Sequence, residues 1–197
     1  MGIALRDARR GDELAVAELH VRSWQEAYRG IMPADFLAAL DSGERAERYE
    51  FEAGEERPTT VLAVETGLGG EGVGEDPSLT NSVEVRSGSS PTPFERIAGF
   101  ATFGPSRDGD AAGLGEIYAL YVDPDRSAGG VGRKLMSEAR RRLSEAGMDE
   151  AVLWVLRGNK RAQRFYEREG WEPDGAQRFE HPYGIVSDVI RFRRTLG

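Results

Sequence analysis

The sequence predicts one mixed α/β domain built around a single sheet, and three observations carry that prediction. Residues 116–142 read as strand, glycine turn and helix in immediate succession. Residues 151–156 (AVLWVL) form a continuous apolar run of strand length, the pattern of a strand buried on both faces. Along the chain, strand-like and helix-like segments come in the order strand, helices, three or more strands, helix, strand, helix, two strands. A chain of 197 residues is long enough to close such elements over one sizeable core.

The elements follow in order. Residues 3–5 make a short first strand. Asp12 is placed to cap a helix from 13 to about 28, with Leu14, Ala17, Val21, Trp24 and Tyr28 along one stripe. Trp24 and Tyr28 suit either core packing or the wall of a small-ligand pocket, since each is an aromatic with a polar handle. Gly30 ends that helix. Pro33 opens a shorter one through Phe36, Leu37 and Leu40, and Asp41 or Ser42 caps a third over 44–53. Residues 59–64 read as a strand. From about 66 to 95 the composition shifts to Gly, Ser, Thr, Pro, Glu and Asp, too poor in apolar surface to offset ordering entropy. This is expected to be a flexible insertion, with Val83 and Val85 as a brief edge strand. Residues 96–103 resume strand character, and 104–113 form a polar loop. After the second helix–strand unit, Asn159 caps a helix over 160–169 that Gly170 terminates, Trp171 enters the core, and 178–180 and 188–194 close the chain as two strands.

The stretch 116–142 organises the rest. Its apolar run 117–122 is stopped by Asp123 and Pro124, because proline removes a ladder donor and restrains its predecessor. Ser127, Ala128, Gly129, Gly130, Val131 and Gly132 follow as a small-residue turn. Leu135, Met136, Ala139, Leu143 and Ala146 then recur on one side of a helix. In such an arrangement backbone N–H groups converge on one anion, helped by the partial positive charge of the helix N-terminus. A phosphate or pyrophosphate cradle is one reading; a tight strand-to-helix connection is the other. The turn matches neither a P-loop nor GxGxxG.

Composition removes several function classes. Cysteine is absent, which excludes disulfides, a cysteine nucleophile and thiolate metal sites. His20 and His181 lie far apart and in no metal-ligand spacing, so no metal site is expected. The net charge of −8 argues against a general nucleic-acid binder. Any phosphate must be met by local cations, for which Arg126, Arg133, Lys134, Arg157, Lys160, Arg161 and Arg164 are available. No apolar run is long enough to span a membrane, and no charged-then-apolar leader opens the chain, so the expectation is a soluble, cytoplasmic protein.

Residues 152–171 read VLWVLRGNKRAQRFYEREGW. Together with VDPDRSAGGVGRKLM, this segment resembles the GCN5-related N-acetyltransferases, the GNAT superfamily. The family pattern N-x-x-A-x-x-F-Y-x-x-x-G-[FW] falls on Asn159, Ala162, Phe165, Tyr166, Gly170 and Trp171. The family turn, [RQ]-x-x-G-x-[GA], places Ser127 where Arg or Gln is usual, with Arg126 one position earlier as a candidate substitute. A serine hydroxyl can bond phosphate, but without the charge assistance of a guanidinium. The resemblance covers the second half of the chain.

It implies a three-layer fold in which a mixed six- to seven-stranded sheet carries helices on both faces and its fourth and fifth strands splay apart. Acetyl-CoA is then the implied cosubstrate, bound in that gap without a metal. Leu120, Tyr121 and Val122 would pair with the pantetheine arm, and Ser127, Ala128, Gly129, Gly130, Val131, Gly132 and Arg133 would hold the pyrophosphate, with Asn159 and Ala162 beside them. Tyr166 is implied as general acid toward the CoA sulfur and Glu116 as base toward the amine. Trp24 and Tyr28 are the expected acceptor wall. The implied activity is acetyl transfer to a primary amine; the alternative is a CoA-binding or regulatory module that keeps the cradle without efficient catalysis. A homodimer is also consistent with the family.

Overall fold

The structure, a computed structural model, describes residues 2–51, 58–68, 93–126, 129–180 and 184–197. Seven strands form one sheet in the order β1-β2-β3-β4-β5-β7-β6. They are β1 (Ile3–Asp7), β2 (Thr59–Leu68), β3 (Pro93–Pro105), β4 (Gly115–Val122), β5 (Glu150–Leu156), β6 (Glu172–Glu180) and β7 (Ser187–Thr195). All neighbours pair antiparallel except β4 and β5, which are parallel.

Two cores explain why helices cover both faces. α4 (Val131–Glu145) buries Val131, Leu135, Met136, Ala139 and Leu143 in one stripe. These pack with Ala101, Phe103, Leu153, Trp171 and Phe192 on one side of the sheet. Fully burying side chains of this size contributes about 1.5–3 kcal/mol each. On the other side, α1 (Glu13–Ala27) sets Val16 and Leu19 against Leu62, Val64, Ile97 and Phe100. The short helices α2 (Ala34–Ala38) and α3 (Ser42–Ala46) lie on the same side as α1. α5 (Lys160–Arg168) follows β5.

What positions the site is a fault in the sheet. β4 and β5 pair only at Gly115–Ala151, Glu116–Val152 and Ile117–Leu153. Beyond these, β4 continues to Val122 and β5 to Leu156 with their facing edges unpaired. The divergence begins at a bulge. Thr102 pairs with Ala119 and Phe103 with Ile117, so Tyr118 is the extra residue. A bulge bends and twists its strand locally, here away from β5.

Several elements differ from what the pattern suggests. Asp12 makes no cap bond; its carboxylate takes Arg6 at 2.7 and 2.9 Å and the Arg9 N–H at 2.8 Å. Asp41 does cap α3 through the Glu44 N–H at 2.8 Å, but that helix ends at Ala46. β2 and β3 reach further into the predicted insertion, with Thr66 paired to Glu95 and Leu68 to Pro93. Val83 and Val85 lie outside the described residues. β6 is three times the predicted length. Its Pro173 and Gly175 mask strand character, which an edge strand with a register shift between Pro173 and Gln177 accommodates. Among the described residues, no helix is long and apolar enough to cross a membrane.

His20 is buried beneath the sheet and ties three elements together. Its Nε2 faces Arg45 Nη2 at 3.2 Å. A guanidinium only donates, so Nε2 accepts and Nδ1 carries the proton toward the Tyr49 hydroxyl. Burial, reinforced by the Arg45 charge, pushes the imidazole down to about 3. The folded value lies below the unfolded value of about 6.5, so this group supports folding fully above about pH 6.5 and withdraws that support as pH falls toward 3. The expected result is a stability that declines by about 1.4 kcal/mol per pH unit from this group across that window. Denaturant unfolding of wild type and His20→Gln at several pH values checks it: the variant is expected to lose this part of the acid slope.

Candidate active site

The fault between β4 and β5 opens into a cleft of about 890 Å³. One end lies at the start of α4. Gly130 stands before that helix with φ 71°, ψ 9°, a left-handed conformation that glycine adopts without a Cβ penalty. No side chain caps the helix, and its first internal bond is from Lys134 N–H to the Gly130 carbonyl at 3.1 Å. The N–H groups of Val131, Gly132 and Arg133 are therefore not used within the helix. Gly130, Gly132 and Arg133 line the cleft. A Cβ on Gly132 would sit 3.5 Å from both Phe165 and Val122, so bare backbone faces a narrow slot between α5 and β4. Gly129 differs: its N–H is bonded to the Arg126 carbonyl at 3.0 Å, within the turn. Ser127 and Ala128 lie outside the described residues.

The turn is fixed from beneath by Asp123, which is 1% exposed. Its carboxylate accepts from Asp125 N–H (3.0 Å), Arg22 (3.0 Å) and Arg96 (3.2 Å). Burial works against its ionisation, but these donors prevail and hold it below the usual carboxylate range. Arg126, the candidate substitute for the missing Arg or Gln, is committed to Glu65 at 2.8 Å.

The middle of the cleft is walled by β4 and α5. Leu120, Tyr121 and Val122 line it on the unpaired side of β4. The Val122 carbonyl accepts the Ser23 hydroxyl at 3.1 Å. Asn159 caps α5 by accepting the Ala162 N–H at 3.0 Å, and is itself buried. Gln163, unremarkable in the sequence, closes the β5–α5 turn. Its amide donates to the Leu156 and Arg157 carbonyls at 3.0 and 2.8 Å. Ala162 and Tyr166 face the cleft from one side of α5. Burial, with Tyr121 nearby, pushes the Tyr166 phenol well above its ordinary value, so it stays protonated. The Tyr28 hydroxyl bonds Tyr121, and burial raises it likewise. Trp24 is buried beside Tyr28, Met32 and Leu37, and it also borders the cleft.

The far end is polar. Glu116 is not an exposed strand-end residue; it is 1% exposed. Its carboxylate receives Arg107 Nη2 at 2.6 Å, the Arg107 N–H at 2.9 Å and the Ser106 hydroxyl at 3.5 Å. The Arg107 guanidinium lies 4.1 Å over the Tyr118 ring, a cation–π contact. One residue on, Asp108 accepts Trp154 Nε1 at 2.8 Å and bonds both Arg178 and Arg191. Arg178 in turn covers the Trp154 ring at 3.9 Å. The loop after β3 thus joins β4 to β5, β6 and β7. Arg107, Asp108, Trp154 and Arg178 were not evident as site residues, because 104–113 reads only as a polar loop.

The cleft therefore offers three things chemically: open amides for an anion, an unpaired strand edge for an extended chain, and a wall that holds both a protonated phenol and a buried carboxylate. These fit a diphosphate-linked, amide-bearing cofactor.

Residues 84–171 match the profile of the acetyltransferase (GNAT) family. An uncharacterised N-acetyltransferase of Bacillus subtilis, YuaI, is 27% identical over 157 residues, spanning 80% of this chain and 73% of that protein. Mycothiol acetyltransferase of Kocuria rhizophila is 39% identical over 64 residues, 32% of this chain. The aligned region is only 21% of that enzyme's length. Among solved structures, the PaiA N-acetyltransferase of Thermoplasma acidophilum in complex with coenzyme A superposes with a TM-score of 0.61 at 17% identity, covering 99% of each chain. YncA of Salmonella typhimurium, with its cofactor acetyl-CoA, gives a TM-score of 0.60 at 18% identity, over 100% of this chain and 95% of that one. At such identities these structures show a shared fold.

Proposed function

We propose that this chain, whose residues 84–171 match the acetyltransferase (GNAT) family profile, is an N-acetyltransferase that transfers an acetyl group from acetyl-CoA to a primary amine by direct attack on the thioester. The observation that carries this reading is the meeting, in one cleft, of an uncapped glycine helix start with an unpaired strand edge and a half-buried, protonated phenol. The amides of Val131, Gly132 and Arg133 hold the pyrophosphate. The free edge of β4 at Leu120–Val122 aligns the pantetheine amides, and Asn159 and Ala162 shape the opposite wall. Trp24 and Tyr28 bound the acceptor.

The amine nitrogen forms a bond to the thioester carbon, and the carbon–sulfur bond then breaks. Tyr166 gives its phenolic proton to the departing sulfur, and the ammonium proton passes through water to Glu116. Arg107 and Ser106 hold that carboxylate in place. Glu116→Gln is expected to lower kcat/KM for the amine by about 10²–10⁴-fold at neutral pH, a typical contribution of one acid–base group. The deficit is expected to shrink as pH rises, because more amine then arrives neutral, and acetyl-CoA affinity is expected to stay unchanged. Steady-state rates across pH, beside a cofactor titration, check both.

The function itself is tested by thiol release from acetyl-CoA with a panel of primary amines: polyamines, amino acids, peptide N-termini and aminoglycosides. An amine that yields acetylated product in equal amount to the CoA released supports the proposal. Thiol release that is the same with and without every amine overturns it.

A further inference from the structure

The structure sorts the basic residues around the cleft into two groups. Arg126 is bonded to Glu65, Arg133 to Glu169, Arg157 to Asp188, Lys134 to the Ile3 carbonyl and Lys160 to Gln163. Arg161, Arg164 and Arg168 have no such partner among the described residues, and all three are exposed and line the cleft. Their spacing of three and four residues places them on one face of α5, along about 10 Å of helix at 1.5 Å per residue. That is uncommon in this chain, whose acids outnumber its bases and whose other arginines are widely ion-paired.

Helix stability accounts for Arg168, which stands in the last turn of α5, but not for Arg161 in the first. The first turn of α5 holds Lys160 and Arg161 and no acid. Cations there oppose the partial positive charge of the helix N-terminus, which favours anions instead. The adjoining face of the same helix carries Ala162, Phe165 and Tyr166, so the arginines border the side of α5 that faces the cleft. The diphosphate is met by the amides of α4 across the slot that Gly132 and Phe165 define. A further dianion can be met by these guanidiniums.

We infer that Arg161, Arg164 and Arg168 form a second anion subsite, which binds a phosphomonoester carried by the cofactor apart from its diphosphate, the 3′-phosphate of the CoA ribose. The inference rests on the proposed use of acetyl-CoA. It makes α5 a selector for the 3′-phosphorylated cofactor, while α4 handles the diphosphate common to many nucleotides. Guanidinium–phosphate bonds are charge-assisted and among the stronger hydrogen bonds.

Calorimetric titration with CoA and with 3′-dephospho-CoA tests this on the unmodified protein. Dephospho-CoA is expected to bind about ten-fold or more weakly, in line with loss of a charge-assisted contact. The exposed triple variant R161A/R164A/R168A is expected to bind the two alike, at the weaker affinity, with a shallower dependence on salt. Equal affinity of the wild-type protein for both compounds overturns this inference alone. Failure of both to bind overturns the acetyl-CoA reading and this one with it. A wild-type preference that persists in the triple variant shows that other residues hold the 3′-phosphate, and also overturns the assignment.

Discussion

Replacing Tyr166 with phenylalanine is expected to lower kcat by about 10²–10⁴-fold, the usual worth of a single acid–base group, while acetyl-CoA binds with near-normal affinity. Only the hydroxyl is removed; the ring keeps its contacts with Phe165 and Phe192. The hydroxyl matters because a sulfur that is protonated as the carbon–sulfur bond breaks is the better leaving group. Burial and the neighbouring Tyr121 keep the phenol in its acid form, so the wild-type rate is expected to show no loss of this proton until well into the alkaline range. The same variant separates the two classes of function that the sequence left open. An enzyme loses turnover and keeps binding. A CoA-binding or regulatory module has no turnover to lose, so a wild-type rate already equal to that of Tyr166→Phe would favour it. Product formation under saturating acetyl-CoA, measured beside cofactor affinity, decides between them.

Gly132→Asp is expected to weaken acetyl-CoA binding by about 100-fold or more, as expected from losing a charge-assisted contact and adding like-charge repulsion. The position is the second residue of α4, where a carboxylate favours the helix by about 0.3–1 kcal/mol. A Cβ there meets Phe165 and Val122 at ordinary contact distance. Folding is therefore expected to be unharmed or slightly favoured, and the thermal midpoint to stay the same or rise. Stability and affinity moving in opposite directions distinguish a blocked anion site from a damaged fold. Gly132→Ala, which adds the Cβ without charge, is the control and is expected to bind far better than the aspartate variant. Calorimetry and thermal unfolding of the three proteins provide the comparison.

Much of the second half was legible because its patterns are local. The apolar run that becomes β4, the glycine turn and the stripe of α4 lie within one continuous stretch, and each element formed as the spacing required. Asn159 capping α5 was likewise readable, since an N-cap depends only on residues a turn away. Trp171 in the core followed from its place after the terminating Gly170.

Features built from distant residues were not legible. Nothing local in the sequence marks Glu116 as buried. It is buried because a loop nine residues upstream returns Arg107 and Ser106 to it. Asp12 has the chemistry of a cap, yet Arg6 on β1 captures its carboxylate, and a two-bond guanidinium pair outcompetes a single cap bond. Arg126 looked able to replace the missing turn arginine until the fold brought Glu65 to it. Conversely, Arg161, Arg164 and Arg168 pass for a solvated helix face in sequence. Their significance emerges only beside Arg126, Arg133 and Arg157, which the fold commits to carboxylates among the described residues. Strand ends suffered for the same reason: Pro173 and Gly175 argue locally against β6, while pairing with β7 holds it as an edge.

The most direct test of the account is a calorimetric titration of the purified protein with acetyl-CoA, with ATP as control. The account predicts saturable binding of one acetyl-CoA per chain, which ATP does not displace and Gly132→Asp weakens. No binding at near-millimolar acetyl-CoA, or tighter binding of ATP at the same cleft, would contradict it.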